Sequence, residues 1–385
     1  MNAISPLRGC AAIVGASLGG VPMAPGRSAL EILGEAVHGA LADAGLKLSD
    51  VDGLFTGSSY HFLAGLSVAE YLGVKPKFCE ATMVGGSSYV GHLLTAAMAL
   101  HTGQCEVALI CYGSNQGSGF GKLKSMAETP LYEAPYAPRY PISSYALAAA
   151  RHMHQYGTTR EDLAHIAVAA RRWAQLNPLA HARDPLSIEQ VLAARMVSDP
   201  LSVLDCCLVT DGGGALVLVK RERARDFPKP PVYVLGAAAA TWHRQIASMP
   251  DLTVTAAAES GPRAFALAGL SPKDVDVLEL YDAFTINTLL FLEDLGFCAK
   301  GEGGAFVRDG RIAPGGVLPV NTNGGGLSCC HPGMYGMFLL IEAVQQLRGE
   351  AGARQVRGAE VALCHGNGGV LSSQVTALLG TAATV

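Results

Sequence analysis

Residues 42–54, ADAGLKLSDVDGL, reappear at 266–278 as ALAGLSPKDVDVL, aligned without gaps and identical at eight of thirteen positions. Each copy reads as a helix ending at Ala-Gly-Leu, a short turn, and a Val-Asp pair that enters an apolar strand. Pro272, behind Ser271, suits the turn or the first position of a short helix. A second echo follows in the same order. EVALICYGSN at 106–115 matches EVALCHGNGG at 360–369, both short buried strands running into Gly-bearing loops. Self-similarity in a fixed order marks a duplicated architecture. The chain therefore reads as an α/β protein of two related halves, residues 1–225 and 226–385, each a mostly parallel sheet covered by helices. Chemistry belongs where the halves meet.

The plan of one half repeats in the other. A strand, AAIVG (11–15), precedes a helix opened by the capping box Ser28-Ala-Leu-Glu31, with Leu30, Leu33, Val37 and Leu41 on one stripe. A Gly-rich turn then leads into a second helix over 85–103, and its counterpart spans 324–349. The strand in 208–220 closes the first half. Between them, residues 116–205 are rich in Pro, Tyr, His and Arg and lack strand alternation. Capping boxes at Thr158–Glu161 and Ser187–Gln190 predict helices there, in an inserted loop domain.

Of the 385 residues, 50% are hydrophobic and 16% charged, a profile of packed globular units with a large core. The net charge is −4, and no basic block is interleaved with aromatics, which argues against nucleic acid as a partner. The sequence predicts no signal peptide and no apolar run long enough for a membrane. Ten Cys residues without CxxC pairs read as reduced thiols, so a soluble protein of the cytoplasm is expected.

The search for familiar site motifs is mostly negative. A P-loop and HExxH are absent, and Gly15-Ala-Ser-Leu-Gly19-Gly20 departs from GxGxxG. His152 and His154 do not share a helix face, so no metal site is expected. What remains lies on loops beside Gly-rich turns and at strand ends, the usual ligand positions of open α/β sheets. His331-Pro332-Gly333 follows Asn321-Thr-Asn-Gly-Gly-Gly326. Cys364-His365-Gly366-Asn367-Gly368-Gly369 ends a late strand, and Tyr281-Asp282-Ala283-Phe284 ends another. Taken singly, His331 is equally a helix cap and Cys364 a core thiol.

These segments resemble the thiolase superfamily, and within it the sterol-carrier-type thiolases and thiolase-like acyl-CoA lyases. NTNGGGLSCCHPGMYG is similar to the family's Asn-x-x-Gly-Gly…His-Pro segment, and CHGNGG to its Cys-x-Gly-x-Gly segment. YDAFT stands where the family has an Asn-Glu-Ala-Phe-like motif, and VLDCCLVTDGGGALVLV (203–219) where its first half ends. The resemblance implies a duplicated thiolase fold, a five-layered αβαβα sandwich with the inserted loop domain. It also implies His331 as a base, Cys364 as a proton carrier, and Asp282, Gly325 and Gly366 around the substrate and oxyanion. Two departures stand out. Counting back from Gly103, the family's nucleophilic Cys falls on Gly86, with Cys79 seven residues away, and Tyr281 replaces the usual Asn.

Three readings stay open. One is an enzyme that makes or breaks a C–C bond beside a CoA thioester without an acyl-enzyme. There His331 or Tyr281 takes the proton and Cys364 or water reprotonates the enolate. The second is an acyltransferase of the acetyl-CoA acetyltransferase type, with Ser87 or Ser88 acylated, although a hydroxyl needs a paired base. The third is a non-catalytic subunit. No cofactor is expected beyond coenzyme A carried by the substrate. Residues 61–74 and 286–294 are candidates for a pocket wall or simple core, and Arg171, Arg172 and Arg183 for CoA phosphates or a solvated face. The resemblance further implies a homodimer through the edge stretch 78–86, and a small OB-fold, zinc-bearing companion subunit.

Overall fold

The structure is a computed structural model that describes residues 5–120 and 131–385, so part of the inserted region (121–130) lies outside it. The first half runs β1 (Ala11–Gly19), α1 (Ala29–Ala44), β2 (Gly53–Thr56), α2 (Ala64–Leu72), β3 (Phe78–Glu80), α3 (Ser88–His101) and β4 (Val107–Ser114). The inserted region holds α4 (Ile142–Tyr156), α5 (Arg160–Gln175), α6 (Ile188–Ala193) and a small ribbon, β5 (Met196–Ser198) with β6 (Leu201–Ser202). After β7 (Gly212–Lys220) come β8 (Val232–Thr241), α7 (Ala257–Ala268), β9 (Val277–Leu280), α8 (Thr285–Asp294), α9 (Gly303–Phe306), α10 (Gly336–Arg348), β10 (Val361–Gly368) and β11 (Ser373–Gly380).

The two echoes become equivalent structure. The helices α1 and α7 both end on a left-handed glycine, Gly45 and Gly269. A single 3-10 turn follows each, and β2 and β9 begin at matching positions. The repeated Asp does the same work in both copies. Asp52 accepts the N–H groups of Glu106 and Val107 at 2.8 and 2.9 Å, and Asp276 those of Glu360 and Val361 at 2.8 and 2.9 Å. Each carboxylate thus ties the start of β4 or β10 to its parallel neighbour.

Strand order is β3-β2-β4-β7-β1 in the first half and β8-β11-β10-β9 in the second, so β4 and β10 hold equivalent inner positions. Val320 bridges Leu278 in parallel, as Cys79 of β3 pairs with Leu54, a one-residue remnant of a matching fifth strand. The halves join where β1 meets β8, antiparallel, through Ala12–Tyr233 and Ile13–Val232. The expectation of mostly parallel sheets needs correction. Among the described strand pairs only β2–β3, β2–β4 and β9–β10 are parallel, because β11 returns from β10 through a tight turn at 369–372 and β7 pairs with β4 in the same sense. The inserted region occupies the place of that turn in the first half. It is also not purely helical: β5 and β6 form a ribbon, and α5 is capped one residue later than expected, by Thr159 with Asp162.

Helix α1 covers one outer face, packing Leu33, Val37 and Leu41 onto β1, β2, β4 and β7. Helices α3 and α10 lie between the two halves of the sheet. Apolar residues surround α10, which is the pattern a helix needs when it is covered on every side, whereas α3 exposes Met98 and His101 in its last turns. Beyond the second half lie α7 and α8. All ten residues of α8 are buried, so 286–294 is core rather than pocket wall. The stretch 61–74 is divided: Val68, Leu72 and Val74 are core, while Phe62, Leu63 and Leu66 face outward beside the edge strand β3. No helix among the described residues is long and apolar enough to cross a membrane.

Candidate active site

The Gly-rich run before His331 does not lead directly into α10. Residues 325–329 make one π-helical turn, and His331-Pro332-Gly333 follows outside regular structure, with Gly333 at φ 105°, before the helix starts at Gly336. Asp282 holds the turn from behind, accepting Gly326 N–H at 2.6 Å. A Cβ on Gly325 would stand 1.9 Å from its carboxylate, so only glycine lets the loop come this close. The inserted region braces the other side. Arg171 Nε donates to Ser328 Oγ at 3.0 Å, and Asn177 donates to the Asn323 carbonyl at 2.9 Å. His331 N–H is fixed by Thr210 Oγ1 at 3.0 Å.

Tyr281, at the end of β9, meets this loop. Its hydroxyl donates to the Gly333 carbonyl at 2.9 Å, accepts Tyr335 N–H at 3.2 Å and lies 3.2 Å from His331 Nε2. The Tyr281 and His331 rings are edge to face, 5.6 Å apart. The ring of Tyr281 fills the space next to Gly86. A Cβ at residue 86 would lie 2.1 Å from Tyr281 Cε2 and 2.4 Å from its hydroxyl oxygen. The phenol therefore stands where a side chain at the start of α3 would begin.

Gly86, Tyr281 and His331 line one cavity of about 420 Å³. Its walls are largely apolar and aromatic (Tyr112, Phe284, Met334 and Ile246 among them), and the inserted region contributes Tyr140, Ser144 and Tyr145. A mostly apolar cleft with a few convergent polar groups is the usual form of a small-molecule site. Burial pushes His331 down to about 4, so its imidazole is neutral at ordinary pH, and pushes the Tyr281 hydroxyl well up.

Four expected site residues lie elsewhere, and for the two on β10 the reason is strand alternation. On β10, residues 364, 366 and 368 face the central helices, whereas 365 and 367 face away from them. Cys364 is buried against α10, donates its thiol to the Leu339 carbonyl, and does not line the cavity. Burial, with Glu279 nearby, pushes that thiol well up. It does not converge with His331. Gly366 lets α3 approach β10: a Cβ there would stand 3.0 Å from Ser87 Cα. Asp282 and Gly325 sit behind the loop, off the cavity, and burial raises Asp282 to about 7 against the pull of the Gly326 and Leu327 N–H groups.

Ser87 and Ser88 are also buried and off the cavity. Ser87 Oγ donates to Ser373 Oγ at 3.0 Å and Ser88 Oγ to the Gly85 carbonyl at 2.7 Å. Neither has a base among the described residues, so neither is arranged as an activated nucleophile. Cys207 does line the cavity, but burial raises its thiol and no base pairs with it. Among the candidate phosphate ligands, Arg171 is engaged with Ser328 and the Asp184 carbonyl. His152 pairs with Glu293 at 3.0 Å and ties α4 to α8, and no group of described residues could hold a metal ion. Sequence reasoning passed over Asn367 and Tyr145, both on the cavity wall. The Asn in CHGNGG was visible, but which face of the strand it takes was not.

Similarity to known proteins agrees with this architecture. Residues 238–381 match the Thiolase C-terminal domain-like family. The chain is 38% identical over 373 residues to the steroid side-chain-cleaving aldolase of Thermomonospora curvata, covering 90% of this chain and 92% of that protein. It is 36% identical over 389 residues to the 17-hydroxy-3-oxo-4-pregnene-20-carboxyl-CoA lyase of Mycobacterium tuberculosis (95% and 98%). It is also 36% identical over 359 residues to an acetyl-CoA acetyltransferase of Methanothermobacter thermautotrophicus (88% and 91%). The solved Ltp2-ChsH2(DUF35) aldolase superposes with a TM-score of 0.89 at 37% identity, covering 97% of this chain and 98% of that one. Fold and site thus define a thiolase-like enzyme of C–C bond chemistry on acyl-CoA thioesters. The chain belongs to the thiolase superfamily, on its sterol-carrier-type, lyase-containing branch.

Proposed function

We propose that the protein is a retro-aldol lyase of 3-hydroxyacyl-CoA thioesters and that it forms no acyl-enzyme. The observation that carries this is the exchange at one point in space: Gly86 offers no nucleophile, and the Tyr281 hydroxyl occupies its place within reach of His331. The substrate's β-hydroxyl gives its proton to Tyr281 Oη while Tyr281 swings its own from the Gly333 carbonyl to neutral His331 Nε2. The Cα–Cβ bond breaks, Cβ becomes a carbonyl, and the electron pair forms the thioester enolate, which a water reprotonates at Cα; the hydroxide so formed takes back the proton held on His331. A relay is needed because the raised Tyr281 hydroxyl does not ionise by itself. Coenzyme A arrives as part of the substrate. The lyase and aldolase relatives support this direction.

The acetyltransferase relative keeps the acyl-transfer reading in view. Mass spectrometry after incubation with acyl-CoAs separates the two. Turnover of a 3-hydroxyacyl-CoA to acyl-CoA and a carbonyl product is expected without any added acyl mass, and an acyl adduct on Ser87 or Ser88 would reverse the choice.

The same reading extends to assembly. The outermost strand β3 and the exposed Phe62, Leu63, Leu66 and Met83 beside it form an apolar edge, which a second copy of the chain covers in the proposed homodimer. The DUF35 protein named with the similar aldolase supports a small companion subunit. Light scattering on the isolated chain should give twice the 39.9 kDa chain mass. A clean monomer contradicts the dimer, and full activity without a co-expressed small subunit removes the need for a companion.

A further inference from the structure

Asn367 lines the cavity at the end of β10 and is held by a chain of side chains that the reaction above does not use. Its Oδ1 accepts from Gln374 Nε2 at 2.7 Å, and its Nδ2 donates to the Tyr145 hydroxyl at 3.0 Å. Gln374 Oε1 lies 2.8 Å from His365 Nε2, His365 Nδ1 lies 2.9 Å from Thr376 Oγ1, and Thr376 Oγ1 lies 2.9 Å from Ser260 Oγ on α7. Every member is buried: His365, Gln374, Thr376 and Ser260 are 0% exposed and Asn367 is 2%.

An amide oxygen can only accept and an imidazole Nε2 facing it must then carry the proton, so the contacts fix one direction of donation. Ser260 donates to Thr376, Thr376 to His365 Nδ1, His365 Nε2–H to Gln374, Gln374 to Asn367, and Asn367 to Tyr145. Tyr145 ends the chain on the Gly369 carbonyl at 3.2 Å. Burial lowers His365 to about 3, so the imidazole stays neutral and does not reverse the order. Such a satisfied, one-way network polarises its members and rigidifies them. Its consequence at the cavity is specific: the carboxamide turns its oxygen away from the ligand and its NH2 group toward it. One N–H is spent on Tyr145. The second has no acceptor among the described residues.

We propose that this second Asn367 N–H is a preset donor to an acceptor oxygen of the bound acyl-CoA, and that Gln374 and His365 are positioning residues that keep the amide from flipping. The acceptor is an acyl oxygen, that of the thioester carbonyl or that of the 3-hydroxyl. The idea rests on the acyl-CoA reading of the site, yet its first test does not need turnover. In protein labelled with 15N-histidine, the His365 resonance, assigned by its loss in His365→Gln, should report the Nε2–H tautomer. An Nδ1–H tautomer overturns the proposal, since the chain would then run the other way and present the amide oxygen to the ligand.

The second test is Asn367→Asp, which keeps shape and replaces the donor by an acceptor. With unchanged melting temperature, kcat/KM on 3-hydroxyoctanoyl-CoA should fall about 100-fold, the scale of one lost donor. A fall in kcat assigns the oxygen to the thioester, and a rise in KM at constant kcat assigns it to the 3-hydroxyl. Affinity for octanoyl-CoA, which keeps only the thioester oxygen, should drop in the first case and hold in the second. Wild-type binding and turnover in the variant sink the proposal. A wild-type enzyme that binds octanoyl-CoA but does not cleave the hydroxyacyl thioester would instead fail the lyase reading and leave the donor standing. Gln374→Glu, which puts an oxygen against Asn367 or against His365, should reproduce part of the loss and shift the His365 tautomer signal. A merely structural role would move only the melting temperature.

Discussion

Replacing Tyr281 by Phe is expected to lower kcat by about 10²- to 10⁴-fold, the range for loss of a positioned proton-transfer group. The substitution keeps the ring that fills the space beside Gly86 and removes only the hydroxyl. It also strips a partner from the Gly333 carbonyl and Tyr335 N–H, at a cost of about 1–3 kcal/mol for each group left unpaired. Circular dichroism and a melting curve must therefore accompany the kinetics. The pH profile of the wild-type enzyme supplies a second check. His331 must be neutral to receive the proton, and burial lowers it to about 4. The acid limb of kcat/KM should fall as pH drops through about 4, leaving a level profile across pH 5.5–8 on this limb. A limb near 6.5, the value of an unburied histidine, or a fully active Tyr281→Phe variant, would remove the relay.

The second large effect is steric. Gly86→Ala places a Cβ 2.1 Å from the Tyr281 ring, which the Gly333 carbonyl, Tyr335 N–H and His331 already hold in place. Overpacking of this kind costs about 1–3 kcal/mol, and more where neither side can move. The variant should be destabilised in urea and inactive, because relief requires the catalytic ring to shift. Gly86→Cys alone should behave in the same way. Combining Gly86→Cys with Tyr281→Asn frees the space, so the pair should be less destabilised than the sum of its single changes. Simple additivity in that cycle would show that the two positions do not compete for one volume. The family's departures at residues 86 and 281 would then be unrelated changes rather than one exchange.

The duplication was legible in the sequence because its signals are local. Ala-Gly-Leu at 44–46 and 268–270 needs a left-handed glycine to end a helix, and Asp52 and Asp276 bond backbone groups of the neighbouring strand; both demands recur wherever the same short structure does. The absence of a nucleophile at Gly86 was likewise a matter of counting along one helix. What each loop residue faces was not local. Cys364 and Asn367 are three positions apart on one strand, and an odd separation puts them on opposite faces. Only the packing of α10 against one face and of Tyr145 against the other decided that the thiol is buried and the amide lines the cavity. Ser87 and Ser88 read as possible nucleophiles until Ser373 and the Gly85 carbonyl took their hydroxyls. The contact between the Tyr281 phenol and the empty place at Gly86 joins residues 195 positions apart in the sequence. Periodicity and capping act over a few residues and determine the elements, whereas the side chains that share a cavity are set by how two distant strand ends and two buried helices close on one another.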